Sequence, residues 1–496
     1  MGTIRKQSVL GTIVVYMGVV VGFVNTGLLL PAFFSTAEIG LMNVLVAYAT
    51  IFAQFASLGF NSATTRLFPY FRDKEHKHNG FPGLGMSVMT VGFLVCLLVF
   101  FLLHNLFLKN GADRSPLFES HINLIIPLYA SILLFLFFDN YLKVLYRSTI
   151  GLFLREVVQR LFILVSIVLF VFKRVDFELF LYLYIAAYAV PVVFAVWALI
   201  RSGDLSLRLK LDFISPELRK ELISVSLFGI IAGFMGVITI SLDRLMIQRF
   251  MGLSATGIYA TTFFFGTVVA LPARSLVKIS TAYLAESWKN RDIATIRSIY
   301  VRSSITQLIF GLLVYGGLLI NLDNIFEILG GEYLPGRYVI VFIGLAFLSD
   351  MAIGVAAQVL LTSSFYRYQT YLLLLFLVLV IVTNLLFIPR WGITGAALAS
   401  FLSKFIHNIL KIWVVYGKIR LQPFTKYSLF ALLCFVPATV VGMVIPVSSS
   451  LILNIGFRST AFVVIFMGTV YLLKLSPDLN ERADRYWTLL LRALGR

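Results

Sequence analysis

Leu242-Asp-Arg-Leu-Met-Ile-Gln-Arg-Phe-Met-Gly-Leu-Ser-Ala-Thr-Gly-Ile-Tyr259 closes one apolar span, turns, and opens the next. The acid–base neighbours Asp243 and Arg244 lie about two turns before the first span ends at Phe250. A turn is expected over Met251 to Gly257. The second span, Ile258 to Tyr283, is interrupted by Leu271-Pro-Ala-Arg274 and carries Lys278 one turn further on. Charge in a membrane-length helix is costly, so these side chains are expected to face protein or water. The same hairpin occurs earlier with little of the charge. Ile39-Gly-Leu41 precedes Thr256-Gly-Ile258 by 217 positions, and each follows a long apolar span. A design stated twice, with polarity in the second copy, implies two lobes and a transport site between them.

Working outward, 59% of the 496 residues are hydrophobic and only 13% are charged, against about 25% in ordinary soluble domains. Apolar runs of membrane-spanning length recur from end to end, which predicts an all-α polytopic membrane protein and excludes a β-barrel of short alternating strands. The first span, Ser8 to Phe34, is too long for a signal peptide and lacks a small-residue cleavage site. The only cysteines, Cys96 and Cys434, fall inside apolar spans, and the five histidines form no metal-ligand pattern. No cofactor is expected. His76 and His78 sit in a charged loop and are expected to be solvated.

Fourteen helices are predicted, near 8–34, 41–68, 84–108, 121–146, 155–172, 178–200, 222–250, 256–283, 303–322, 338–364, 369–388, 393–416, 427–446 and 455–473. With the N-terminus in the cytoplasm, the inner segments carry 25 Lys/Arg and the outer ones 6. This bias places both termini in the cytoplasm. It also accounts for the net charge of +18, as basic loops lie beside anionic lipid rather than forming a nucleic-acid footprint. The expected organisation is an N-terminal lobe (1–200, helices one to six), a cytoplasmic linker (201–221), a C-terminal lobe (222–416, helices seven to twelve), and two further helices with a tail (417–496).

Several stretches resemble polysaccharide and O-antigen flippases. Glu38-Ile-Gly-Leu41 and Ala56-Ser-Leu-Gly-Phe-Asn-Ser-Ala-Thr-Thr-Arg66 look like the family's opening. Leu242-Asp-Arg244 with Gly257-Ile-Tyr259 resembles the start of its second half. Asn384-Leu-Leu-Phe-Ile-Pro-Arg-Trp-Gly-Ile-Thr-Gly-Ala-Ala-Leu-Ala-Ser400 is similar to its most recognisable stretch. The resemblance implies the multidrug/oligosaccharidyl-lipid/polysaccharide exporter superfamily, with two six-helix lobes around a central cavity. It implies a bacterial inner-membrane location and, as cargo, an undecaprenyl-pyrophosphate-linked oligosaccharide for surface polysaccharide or lipopolysaccharide synthesis. Lipid II flippases of the superfamily carry arginines in the first helix. Here that helix offers Tyr16, Asn25 and Thr26, which argues against lipid II as cargo. Drug/cation antiporters of the superfamily place acids on helices seven and ten, where Asp243 and Asp350 fall.

A pyrophosphate headgroup needs cationic partners, Arg by bidentate bonding and Lys as a point charge. Arg274 and Lys278, four apart, share one helical face. Either they contact the diphosphate, or Arg274 pairs with an acid such as Asp243 while Lys278 snorkels to the interface. Lys404, His407 and Lys411 share a face of helix twelve. Lys404 either lines a cavity or neutralises Asp350, His407 is expected to be a hydrogen-bonded structural imidazole, and Lys411 is expected at the interface. Asp139 and Lys143 are expected to form an internal ion pair. Arg66 and Arg244 are further substrate-contact candidates, Arg66 being equally well placed as a topology anchor, whereas Arg160 and Arg249 read as interfacial anchors. Asp243 and Asp350 are the candidate proton or sodium sites. The glycines at 11, 18, 22 and 27 in helix one and at 229, 233 and 236 in helix seven are expected to let helices approach closely, the sharper alternative being a bend during lobe movement.

Two other classes compete. A cation-coupled multidrug exporter would use Asp243 and Asp350, but the 10 Lys/Arg within the spans outnumber the buried acids. A membrane glycosyltransferase would need clustered acids or a large external domain. The longest external loop, 321–337, supplies only Asp323, Glu327, Glu332 and Arg337. The reading is therefore a non-enzymatic flippase working by alternating access, with the lipid-linked glycan, membrane lipids and H+ or Na+ as partners.

Overall fold

The computed structural model describes residues 2–109, 115–445, 450–481 and 484–485. The tail beyond 485, expected in the cytoplasm, lies outside them. The chain divides into two compact units, Met1–Thr261 and Thr262–Arg496. Both are helical, and no strand occurs among the described residues.

The first unit contains α1 (Gly2–Gly22), α2 (Leu30–Phe33), α3 (Thr36–Ala56), α4 (Phe60–Phe71), α5 (Phe81–Lys109), α6 (Pro116–His121), α7 (Ile125–Val144), α8 (Ser148–Phe153), α9 (Gln159–Val171) and α10 (Phe177–Arg201). The division falls inside α11 (Pro216–Thr267). The second unit continues with α12 (Ala273–Lys289), α13 (Ile293–Ile320), α14 (Leu322–Leu329), α15 (Arg337–Ala352), α16 (Ala356–Leu361), α17 (Tyr366–Ile419), α18 (Lys426–Val444) and α19 (Leu451–Leu472). Among the described residues twelve helical stretches are long and apolar enough to cross a membrane. The chain is a multi-pass membrane protein.

Several boundaries differ from expectation for local reasons. The turn expected over 251–257 shrinks to Gly252, whose φ of 86° and ψ of −177° redirect α11 while both flanks stay helical. A side chain disfavours that conformation, which glycine adopts freely. Gly392 (φ 58°, ψ −137°) does the same inside α17, where Pro389-Arg-Trp-Gly392 was expected to be a loop. Helix α3 starts at Thr36 rather than 41, because Ser35 and Glu38 close a capping box. The Ser35 amide donates to Glu38 Oε2 at 2.8 Å, and the Glu38 amide donates to Ser35 Oγ at 3.3 Å. The interruption expected at 271–274 is present, with a tight 3-10 turn at Val268–Ala270 and Pro272 capping α12.

Packing, rather than exclusion of water, holds such helices together in lipid. In the first unit the rings of Phe68, Phe71, Phe81 and Tyr141 interlock, with centroids 5.0–5.4 Å apart for Phe71–Phe81, Phe68–Phe81 and Phe68–Tyr141. All four are fully buried. Gly229 and Gly233 on α11 rest against Gly59, Ser62 and Gln54, as small residues should. Gly236 meets nothing within 4 Å among the described residues. In the second unit Gly316 of α13 admits the rings of Phe435 and Phe462.

The linker corrects one expectation. His78 is buried rather than solvated: its Nε2 lies 3.3 Å from Asp204 Oδ1. Arg147 reaches the same carboxylate at 3.2 Å, and Tyr141 OH donates to the Asp204 carbonyl at 2.9 Å. Two segments distant in sequence, at His78 and at Arg147, are thereby pinned to one carboxylate, with Tyr141 on the same residue's backbone.

Candidate functional site

In the first unit, polar groups gather where two helices widen together. Residues Phe23–Leu29 and Leu154–Val158 both form π-helical turns, which often mark functional positions. Gly18 leaves room for the Glu156 backbone, and Gly22 for the Arg160 guanidinium. Arg160 donates to the Gly18 carbonyl and pairs with Glu156 Oε2 at 2.8 Å. Asn25 Nδ2 in turn donates to the Arg160 carbonyl at 2.8 Å. Arg160 is therefore no interfacial anchor but the tie between α1 and α9. A local signal was present: Glu156 and Arg160 are four apart, the spacing of a helical ion pair.

Asp243 and Arg244 diverge as neighbours on a helix must. Asp243 is 4% exposed and accepts a 2.8 Å hydrogen bond from Tyr259 OH. Arg244 is half-buried and lies in the electrostatic field of Tyr259, Asp243, Tyr184 and Tyr188. Tyr184 and Tyr188, one turn apart on α10, share a 3.3 Å hydroxyl contact, and Arg160 also acts on Tyr188. This tyrosine pair presents two linked hydroxyls, groups able to bond sugar hydroxyls or phosphate oxygens. The two tyrosines were not singled out in the sequence, although their four-residue spacing on an apolar helix was visible.

In the second unit the open choice for Lys404 resolves: its Nζ lies 2.7 Å from Asp350 Oδ2 and 3.9 Å from the centre of the Phe347 ring. Asn408 donates to Asp350 Oδ1 at 2.9 Å and to Ser349 Oγ at 3.0 Å. Lys411 is not interfacial. It is 6% exposed and donates to Asn408 Oδ1 at 3.2 Å. His407 stacks on Phe376 with centroids 4.8 Å apart, and its Nε2 has no hydrogen-bond partner among the described residues. The face expected to carry Lys404, His407 and Lys411 thus splits. Two lysines join Asn408 around Asp350, while the imidazole packs on a ring.

Arg274 and Lys278 are exposed and make no ion pair among the described residues. Arg66 is exposed and lies 3.4 Å from Glu221. Arg249 is exposed, and Asp139 pairs with Lys143 at 2.6 Å as expected. No cluster of three metal-ligating side chains occurs among the described residues.

This backbone has known counterparts. A lipid II flippase, MurJ, in an inward closed conformation superposes with a TM-score of 0.77 at 11% identity, over 94% of this chain and 98% of that one. An inward-facing multidrug resistance transporter of the MATE family follows at 0.63 and 13%, over 82% and 94%. A MOP superfamily transporter from Pyrococcus furiosus, described as having a binding pocket of reverse polarity, gives 0.53 and 13%, over 84% and 95%. At such identities the likeness is one of fold. That fold defines the class: a helical membrane protein built like the flippases and drug transporters of the MOP superfamily. Residues 6–282 match the model of the polysaccharide biosynthesis protein family, and the chain belongs to that family. Curated protein sequences yield no match.

Proposed function

We propose that the protein moves a polyprenyl-pyrophosphate-linked oligosaccharide from the inner to the outer leaflet of the bacterial cytoplasmic membrane by alternating access, for O-antigen or a related surface polysaccharide. The observation that carries this reading is the imbalance of charge within the membrane-length helices. Asp139 and Asp350 are neutralised by lysines, Glu156 by Arg160, and Asp243 is hydrogen-bonded to Tyr259. Arg274 and Lys278 stand exposed on one face of α12 without a carboxylate among the described residues. A diphosphate supplies the missing counter-charge. Arg244 with Tyr184 and Tyr188 adds a second contact region, and Arg66 and Lys404 complete the cationic set. Lys404 becomes available when Asp350 takes up a proton or a sodium ion, which gives Asp350 a coupling role. Asp243 is the second such candidate.

In this reading the chain has fourteen crossings with both termini cytoplasmic. The bend at Gly392 divides α17 into two crossings, and Ser148–Val171 supplies another. The decisive experiment follows lipid-linked intermediates in cells depleted of the protein. Oligosaccharide-diphospholipid stranded on the inner leaflet is the expected outcome, with Arg274→Ala failing to restore export despite normal insertion. Normal surface glycan with lost drug resistance would instead favour a cation-coupled multidrug exporter.

A further inference from the structure

The first turns of α11 border an apolar hollow that the polar sites do not use. Between α3 and α4 the chain breaks at Leu58 (φ 46°) and Gly59 (φ 69°), both left-handed. There Gly59 sits against the backbone of Ser226, Gly229 and Ile230, so a side chain at 59 would push α11 away. Beside this crossing lies a cavity of about 600 Å³, walled by Leu58, Phe60, Leu84 and Val88 and by the Leu222–Ile230 face of α11. The volume falls within the ~300–1,000 Å³ usual for ligand sites. Among its described lining residues only Arg219 and Ser226 are polar. A second hollow of about 560 Å³ shares Ile223, Leu227 and Ile230 and has Lys220 as its one charged residue.

Each hollow therefore carries a cation at the end nearest the linker. The neighbouring acids are already engaged. Glu221 lies 3.4 Å from Arg66, and Glu217 bonds to Ser215 and to the start of its own helix. Arg219 and Lys220 make no ion pair among the described residues. Hydrocarbon gains little by moving from bilayer to protein, since lipid tails are as apolar as leucine. Selection in such a hollow must come from shape and from the charge at its mouth. Arg219 lines the larger hollow and Lys220 the one beside it, and two cations without an acid partner match the charge of a diphosphate better than that of a phosphodiester lipid.

We propose that these two adjoining hollows dock the isoprenoid chain of a polyprenyl diphosphate, with Arg219 in one and Lys220 in the other holding the diphosphate, as a loading site made of other residues than Arg274 and Lys278. The proposal rests on the flippase reading for the identity of the lipid, and extends it to where the carrier first binds.

The test uses the full chain in phosphatidylcholine nanodiscs with a photoreactive polyprenyl diphosphate that bears no sugar. Labelling is expected on peptides covering residues 84–88 and 219–230, and filling the cavity with Val88→Trp and Ile230→Trp should abolish it. The exposed pair Arg219→Gln/Lys220→Gln, which does not threaten folding, should raise the probe concentration for half-maximal labelling about tenfold. Labelling by the matching polyprenol should not change in that pair. Labelling confined to other segments, indifference to both sets of substitutions, or equal competition by phosphatidylglycerol would overturn the proposal. The two readings fail separately. Stranded intermediate in depleted cells with an unlabelled cavity removes this site and leaves the flippase. A labelled cavity without stranded intermediate keeps the site and removes the transport reading.

Discussion

Gly40 and Gly257, 217 positions apart, pack against each other's backbone in a reciprocal contact. A Cβ on Gly40 would strike the Leu253 carbonyl and the Gly257 amide, and one on Gly257 would strike the Thr36 carbonyl and the Gly40 amide. Thr36 Oγ1 and Ser254 Oγ close the same junction at 2.7 Å. The repeated hairpin is thus also a contact between its two copies. Only glycine permits backbones to approach this closely.

That junction can be tested by cross-linking. In a background with Cys96 and Cys434 replaced by serine, Thr36→Cys/Ser254→Cys should oxidise readily, since the hydroxyls already lie close to bonding distance. Under alternating access the oxidised protein should stop transport, and reduction should restore it. Unimpaired transport by the fully cross-linked protein would show that the hairpins never part.

The Asp350–Lys404 pair should behave as a coupled unit. Lys404→Met alone leaves a carboxylate with Asn408 and the buried Lys411 in a low-dielectric setting. Asp350→Asn/Lys404→Met should be more stable than the sum of the single variants predicts, by about 1–2 kcal/mol. Both should lose transport, which separates folding from function. Additive destabilisation in thermal unfolding would refute the coupling.

Arg458 was not singled out in the sequence, yet it is 7% exposed and bridges two helix ends. It donates to the Ile320 carbonyl closing α13 and to the Ile445 carbonyl just past α18, both at 3.3 Å. A cation there also complements the negative end of each helix. Arg458→Leu should cost about 2–3 kcal/mol by leaving buried carbonyls unpaired. An unchanged unfolding temperature would mean water replaces the guanidinium.

The linker junction carries a pH signature. Burial pushes the Asp204 carboxyl up, but hydrogen bonds from Ser202 and His78 and the charge of Arg147 outweigh it, so its pKa lies below the ordinary 3.8. A depressed carboxyl pKa contributes stability that is complete above the unfolded-chain value and is lost as pH falls through the folded one. Asp204→Asn should therefore lower the unfolding temperature at pH 7, and the difference from the parent protein should close below about pH 4. A gap that persists into acid would assign the effect to packing.

Much of the architecture is legible in one dimension because hydropathy and backbone punctuation are local. Gly252, Gly392 and Pro272 each interrupt a helix within the stretch that was expected to turn, and Asp139 finds Lys143 one helical turn away. Ser35-Thr-Ala-Glu38 and the Glu156–Arg160 spacing are equally local signals, carried by side-chain chemistry rather than by hydropathy. The site was less legible. Lys404, His407 and Lys411 share a face by spacing, yet burial of Lys411 depends on Asn408 and Asp350 coming together from different helices.

Residue order alone determined that this chain threads a bilayer repeatedly, that a hairpin recurs, and that cations outnumber acids inside the spans. Those properties follow from side-chain transfer energies and from the few residues able to turn a helix. Tertiary structure decided which charges meet: His78 and Arg147 at Asp204, and Lys404 at Asp350. Such pairings join residues brought together by helix packing, and the energy of a buried charge is set by what lies within a few ångströms in space.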